Sequence, residues 1–151
     1  MKKQIVITAL LLFISIGAFA QKTDHRNLDK KVAIEGYDPV AYFKDGEAVE
    51  GKKKNALNYK GAIYYFSTQA NKASFKSNPS KYEPQYGGWC AYAMGDSGEK
   101  VEVDPETFKI IDGKLYLFYN RFFNNTLKSW NKNQTALKNK ANNNWKKIIS
   151  L

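Results

Sequence analysis

Cys90 is the only cysteine in a chain of 151 residues, and that fact limits what the chain can fold into. No internal disulfide can form, so apolar burial alone has to hold the fold. The chain has the material: ten Tyr, nine Phe and three Trp argue against disorder. The constraint is sharper because the chain opens like an exported one. Lys2 and Lys3 precede a mostly apolar run from Ile5 to Phe13, and Ala18-Phe19-Ala20 supplies a small-x-small pattern before Gln21. This predicts a signal peptide over 1–20, cleaved after Ala20, and export to the periplasm or the medium. Gln21 rather than cysteine follows the cut, which argues against a lipid anchor. The apolar run is too short for a bilayer span, and no other segment approaches the required length.

The remaining length suits one domain with one core. Residues 21–30 read as a flexible polar leader and 31–151 as the domain. His25, the only histidine, lies in that leader. A histidine-built metal cage is excluded, as is a Cys/His or Ser/His/Asp catalytic arrangement unless His25 folds back. The formal net charge is +10, and loss of Lys2 and Lys3 leaves 22 basic residues against 14 acidic. The lysines are scattered, apart from Lys52-Lys53-Lys54 and Lys146-Lys147, and the only arginines are Arg26 and Arg121. Recognition of bases and phosphates favours arginine, so no nucleic-acid partner is predicted. The charge reads as a solvated basic surface, with a specific anionic partner as the alternative.

Turn chemistry sets the expected elements. "VAIEGYDPVAYF" (32–43) predicts a strand, a Gly-Tyr-Asp-Pro turn and a second extended piece. "EAVEGKKKN" predicts a strand end running into a basic loop. Lys60-Gly61 and Asp112-Gly113 sit between β-branched and aromatic residues and predict two hairpins, the second with a type I′ turn. Ser67 or Thr68 is placed to cap a helix ending before Pro79, with Ala70, Ala73 or Ser74, and Phe75 inward. "WCAYAM" predicts a short helix and "KVEVDP" a strand. Leu127, Trp130, Leu137, Ala141, Trp145 and Ile148 or Ile149 recur at helical spacing over a Lys- and Asn-rich outer face. The expected class is α+β: small antiparallel hairpins packed with short helices and a C-terminal helix, in a single domain.

Two stretches, "GYDPVAYF" and "YKGAIYYFSTQANKASFKSNPSKYEPQYGGWCA", resemble the YHS-domain family over about residues 31–149. The likeness is to its exported branch, which includes selenoproteins, and to the related TRASH-like metal-binding domains. The resemblance implies cysteines after the Asp-Pro-Val element and at both ends of a Cys-x-x-x-Cys near the hairpin–helix junction, where thiolates hold a soft metal. Here those positions are Ala41, Ser67 and Asn71, none of them a thiolate donor. The resemblance therefore implies a lost heavy-metal site.

What survives is Tyr-Gly-Gly-Trp-Cys-Ala. If "WCAYAM" opens a helix, Cys90 sits in its first turn, where free amides and the helix dipole favour the thiolate. Met94 then lies four residues on, on the same face, and a thiolate with a thioether makes a half-site for Cu(I). The expected function is a non-enzymatic binding module for a soft metal ion, copper among them, or a small ligand. In it Cys90 and Met94 are metal donors, Gly87 and Gly88 shape the loop, and Asp38, Tyr86 and Trp89 line the site. Two alternatives remain: a thiol-dependent redox protein with Cys90 as nucleophile and a partner protein to resolve it, or an interaction module that dimerises. Against all of these stands Cys90 as a small buried hydrophobe.

Overall fold

The structure, a computed structural model, describes residues 23–151; the expected signal peptide and its cleavage site lie outside the described residues. Leu28–Asp29 (β1) and Val32–Ala33 (β2) form a tight hairpin about Lys30-Lys31. A 3-10 turn at Ile34–Gly36 leads to one turn of helix, Ala41–Lys44 (α1). Lys52–Tyr59 (β3) and Ala62–Phe66 (β4) form the expected hairpin about Lys60-Gly61. β2 joins β4 in parallel, giving a four-stranded sheet of order β1-β2-β4-β3. Gln69–Ser77 (α2) and Pro79–Tyr82 (α3) follow, then a 3-10 turn at Gln85–Gly88 and Ala91–Asp96 (α4). Asp104–Ile111 (β5) and Lys114–Phe118 (β6) make a third hairpin, Asn120–Arg121 (β7) and Asn124–Asn125 (β8) a fourth. Thr126–Lys132 (α5) and Gln134–Ile149 (α6) complete an α+β fold.

The elements form where turn and cap chemistry direct them. Thr68 Oγ1 accepts from the Asn71 amide at 3.0 Å and starts α2, while Pro79 opens α3 at a position that has no use for an N–H. Asp112 and Gly113 both take positive φ (52° and 70°), as a type I′ turn requires. In β4, Ala62, Tyr64 and Phe66 point inward and are buried, while Ile63 and Tyr65 are half-exposed, the period of a one-sided strand.

β6 explains why there are two cores. Leu115 and Leu117 pack with Val40, Tyr42, Phe66 and Phe75 under the first sheet. Tyr116 and Phe118, on the opposite face, pack with Met94, Trp130, Leu137 and Ala141 under α4–α6. With side chains alternating face to face, one strand is the shared wall.

Several expectations need correction. The piece after Asp38 is the helical turn α1, because the Asp38 carboxylate caps it. Lys52-Lys53-Lys54 lies within β3. The strand expected over 100–105 starts only at Asp104, since residues 101–103 cross to the Cys90 amide through Val101 O (2.9 Å). The inner face of α2 is Asn71 and Phe75, with Ala70 and Ala73 exposed. The leader is held down over residues 24–29: Arg26 donates to the carbonyls of Tyr59 and Lys60, and the Asn27 amide donates to Gly87 O at 2.8 Å.

Candidate functional site

Ala41 and the pair Ser67 and Asn71, about thirty residues on, meet at one point, the carboxylate of Asp38. Asp38 is 0% exposed. Its Oδ1 accepts from the amides of Val40 (2.8 Å) and Ala41 (3.4 Å) at the start of α1. Its Oδ2 accepts from the Ser67 amide (2.8 Å), the Ser67 hydroxyl (2.7 Å) and the Asn71 side-chain amide (2.8 Å). The end of β4 supplies Ser67 and the first turn of α2 supplies Asn71. Lys44 Nζ lies on the far side of this knot, donating to Ser74 Oγ at 2.9 Å and reaching Asn71 Oδ1 at 3.5 Å. A buried carboxylate is stable only when its lone pairs are met by donors, and five donors meet this one.

That donor set does not suit a soft metal. It offers no sulfur, and each donor hydrogen directed at the carboxylate occupies a lone pair that a cation would need. Among the described residues no group of three or more His, Cys, Asp or Glu is arranged to hold a metal ion.

Cys90 is the N-cap residue of α4 rather than a residue of its first turn. It is 1% exposed, and its sulfur is engaged on both sides. The Tyr119 amide donates to Sγ at 3.4 Å, and Thr126 Oγ1 lies 3.4 Å away. The Thr126 hydroxyl donates to Tyr119 O at 2.8 Å, so the thiol is the donor toward Thr126. Cys90 forms part of the floor of an open cavity of about 450 Å³, walled by Tyr92, Asp96, Glu99, Tyr119 and Asn124. Nearly all the surface a ligand meets there belongs to the walls.

The other expected site residues do not gather at this cavity. Met94 is wholly buried in the second core while Cys90 packs in the first, so the expected thiolate–thioether pair is not gathered at this cavity, whose lining includes Cys90 and not Met94. Tyr86 is buried; its hydroxyl donates to Asn142 at 2.9 Å and its ring meets Tyr116 edge-on. Burial raises its phenol above the ordinary range. Trp89 Nε1 donates to His25 O at 2.7 Å.

Gly87 receives residues 25–27 and α6 instead of shaping a ligand loop, and Gly88 lies against Pro84 and Asn27. Gly87 has φ +63°, and a Cβ there would lie 2.9 Å from Trp145 Cη2 and 3.0 Å from Arg26 Cα. The motif is a junction where residues 25–27 and α6 close on each other, and only glycine leaves room. No composition signal exposes this, because the partners lie about sixty residues away on either side.

Sequence reasoning also missed a larger groove of about 880 Å³ on the outer face of the first sheet. Leu28, Val32, Ile63 and Tyr65 form its bed, and Glu35 and Arg121, 3.6 Å apart, stand at its rim. Desolvation raises the Glu35 carboxyl above its ordinary value.

Residues 40–86, about a third of the chain, match the family model of the YHS domain. No curated protein and no solved structure matches the chain. The matched span runs from the start of α1 through α3 and contains Ala41, Ser67 and Asn71.

Proposed function

On the strength of the YHS-domain match over residues 40–86, we propose that this chain is an exported, non-enzymatic binding module that holds its fold without a metal. The thiolate cage of metal-binding relatives is exchanged here for the hydrogen-bonded carboxylate of Asp38. The observation that carries this is the convergence of Ala41, Ser67 and Asn71 on one buried, fully partnered side chain. A thiolate cage ties a strand end to the following helix through the ion; Asp38 ties the same elements through hydrogen bonds, and the ion is dispensable. Binding falls to the open cavity over Cys90, where Asp96 and Glu99 favour a small polar or cationic ligand and Tyr92 and Tyr119 offer ring faces.

Metal analysis of the purified full chain, with thermal melts in the presence and absence of a chelator, tests the first part. The expected result is no stoichiometric metal and an unchanged Tm. Stoichiometric copper or zinc whose removal lowers Tm overturns it. A second reading, Cys90 as a redox thiol, is favoured by the Tyr119 amide directed at the sulfur. Intact mass after dilute peroxide decides it: a stable sulfenic or mixed-disulfide adduct, absent in Cys90→Ser, supports the redox role.

A further inference from the structure

β7 and β8 pair through Asn120↔Asn125 and Arg121↔Asn124, so Phe122 and Phe123 alone form a two-residue hairpin loop. Both take positive φ (51° and 64°). That is type I′ geometry, which Asn-Gly fulfils without strain and which bulky side chains resist. Neither phenyl ring recovers the strain by packing: Phe122 is 88% exposed and Phe123 fully so. The tip is nonetheless rigidly mounted. Asn120 donates to Thr107 Oγ1 at 2.9 Å, Arg121 reaches Val103 O at 3.3 Å, and Asn125 caps α5 by accepting from the Leu127 amide at 3.0 Å. Strained, exposed and fixed apolar residues point to a contact surface.

Charge identifies the partner. From Lys114 to Leu151 the sequence has eight lysines and arginines and no aspartate or glutamate, so this quarter of the chain carries most of the formal net charge of +10. Lys128 and Lys132 are exposed one turn apart on α5, directly after the hairpin. The large apolar side chains that stand exposed among the described residues, Phe122, Phe123, Ile149 and Leu151, all lie in this same acid-free segment. We propose that the Phe122–Phe123 tip is a wedge that docks the domain on an anionic phospholipid surface, the rings entering the headgroup boundary and the lysines meeting lipid phosphates. This is peripheral attachment; no helix among the described residues is long and apolar enough to cross a membrane.

Co-sedimentation of the full chain with vesicles of equal parts phosphatidylglycerol and phosphatidylcholine, against pure phosphatidylcholine, tests it. The expected result is binding to the anionic vesicles that weakens as salt rises. The variant Phe122→Asn/Phe123→Gly gives the turn its preferred residues and should melt no lower than wild type. It should bind anionic vesicles at least about tenfold more weakly, because two buried rings are lost. Equal binding by variant and wild type, equal binding to neutral vesicles, or no binding at all overturns the proposal. So does a Phe122-dependent dimer that forms in solution and ignores lipid.

Discussion

Asp38 and Ser67 are joined twice: the Ser67 amide and the Ser67 hydroxyl both donate to Asp38 Oδ2, at 2.8 and 2.7 Å. The carboxylate thereby pins the end of β4 and the start of α2 to α1. Asp38→Asn puts an NH2 where three donors converge, or turns its oxygen away from the α1 amides. Hydrogen bonds to a charged group contribute about 1.5–3 kcal/mol each, and buried donors left unpaired add to the loss. We expect Asp38→Asn to lower unfolding stability by about 3 kcal/mol or more, read as a shift in urea midpoint at unchanged slope.

The three positions around Asp38 also make a constructive test. A chain carrying Ala41→Cys, Ser67→Cys and Asn71→Cys places a thiol at each of three positions that hydrogen-bond Asp38, Ala41 through its amide and the other two through their side chains. Overpacking at the wholly buried Ala41 costs about 1–3 kcal/mol. Loaded with Cd2+, the variant is expected to show thiolate-to-metal charge-transfer absorbance and a raised Tm, neither seen in wild type. A folded variant without that absorbance would show that the three side chains do not share one site.

Gly87→Ala tests the junction. Its Cβ meets Trp145 and the Arg26 backbone, and a left-handed conformation costs an L-residue about 1–2 kcal/mol. The expected outcome is destabilisation by about 2 kcal/mol or more, with faster hydrogen exchange at the Asn27 amide. A wild-type melt would mean that α6 and residues 25–27 are not held against the glycine.

Cys90 is expected to react slowly with a bulky disulfide reagent in the native state and at the free-thiol rate in denaturant, because it is 1% exposed. Cys90→Ala strands the Tyr119 amide and should cost about 1–3 kcal/mol. Cys90→Ser keeps an acceptor there and should cost less. Chemical denaturation of both variants compares them; equal losses would mean that packing alone matters at this position.

Residues 24–29 should release in acid. Arg26 hydrogen-bonds Asp24 at 2.9 and 2.6 Å and holds its carboxyl below the usual 3.8. A carboxyl depressed on folding contributes stability above its unfolded value, and that contribution is lost as pH falls through the folded one. Protection of the Asn27 amide, taken relative to its intrinsic exchange rate at each pH, should therefore be flat down to about pH 4 and fall below it as the segment opens. Asp24→Asn should abolish that pH dependence. An identical profile in the variant would assign the docking to Arg26 and the two main-chain carbonyls alone.

Sequence alone determined whatever rests on local chemistry. Lys60-Gly61 and Asp112-Gly113 are legible as hairpins because a glycine at positive φ is a local requirement. Thr68, Pro79 and the Leu137–Ala141–Trp145 stripe are legible because capping and helical period act within a few residues. The hairpins at Lys30-Lys31 and Phe122-Phe123 were invisible for the same reason: their residues resist the φ values that the strand pairing imposes. The YHS motif told where thiolates were missing but not what replaced them. Only the tertiary structure brings residues 41, 67 and 71 onto one carboxylate, assigns Cys90 and Met94 to different cores, and sets residues 25–27 and α6 against Gly87. Each of those is decided by which face of a strand or helix meets which core, and no short stretch of sequence carries that information.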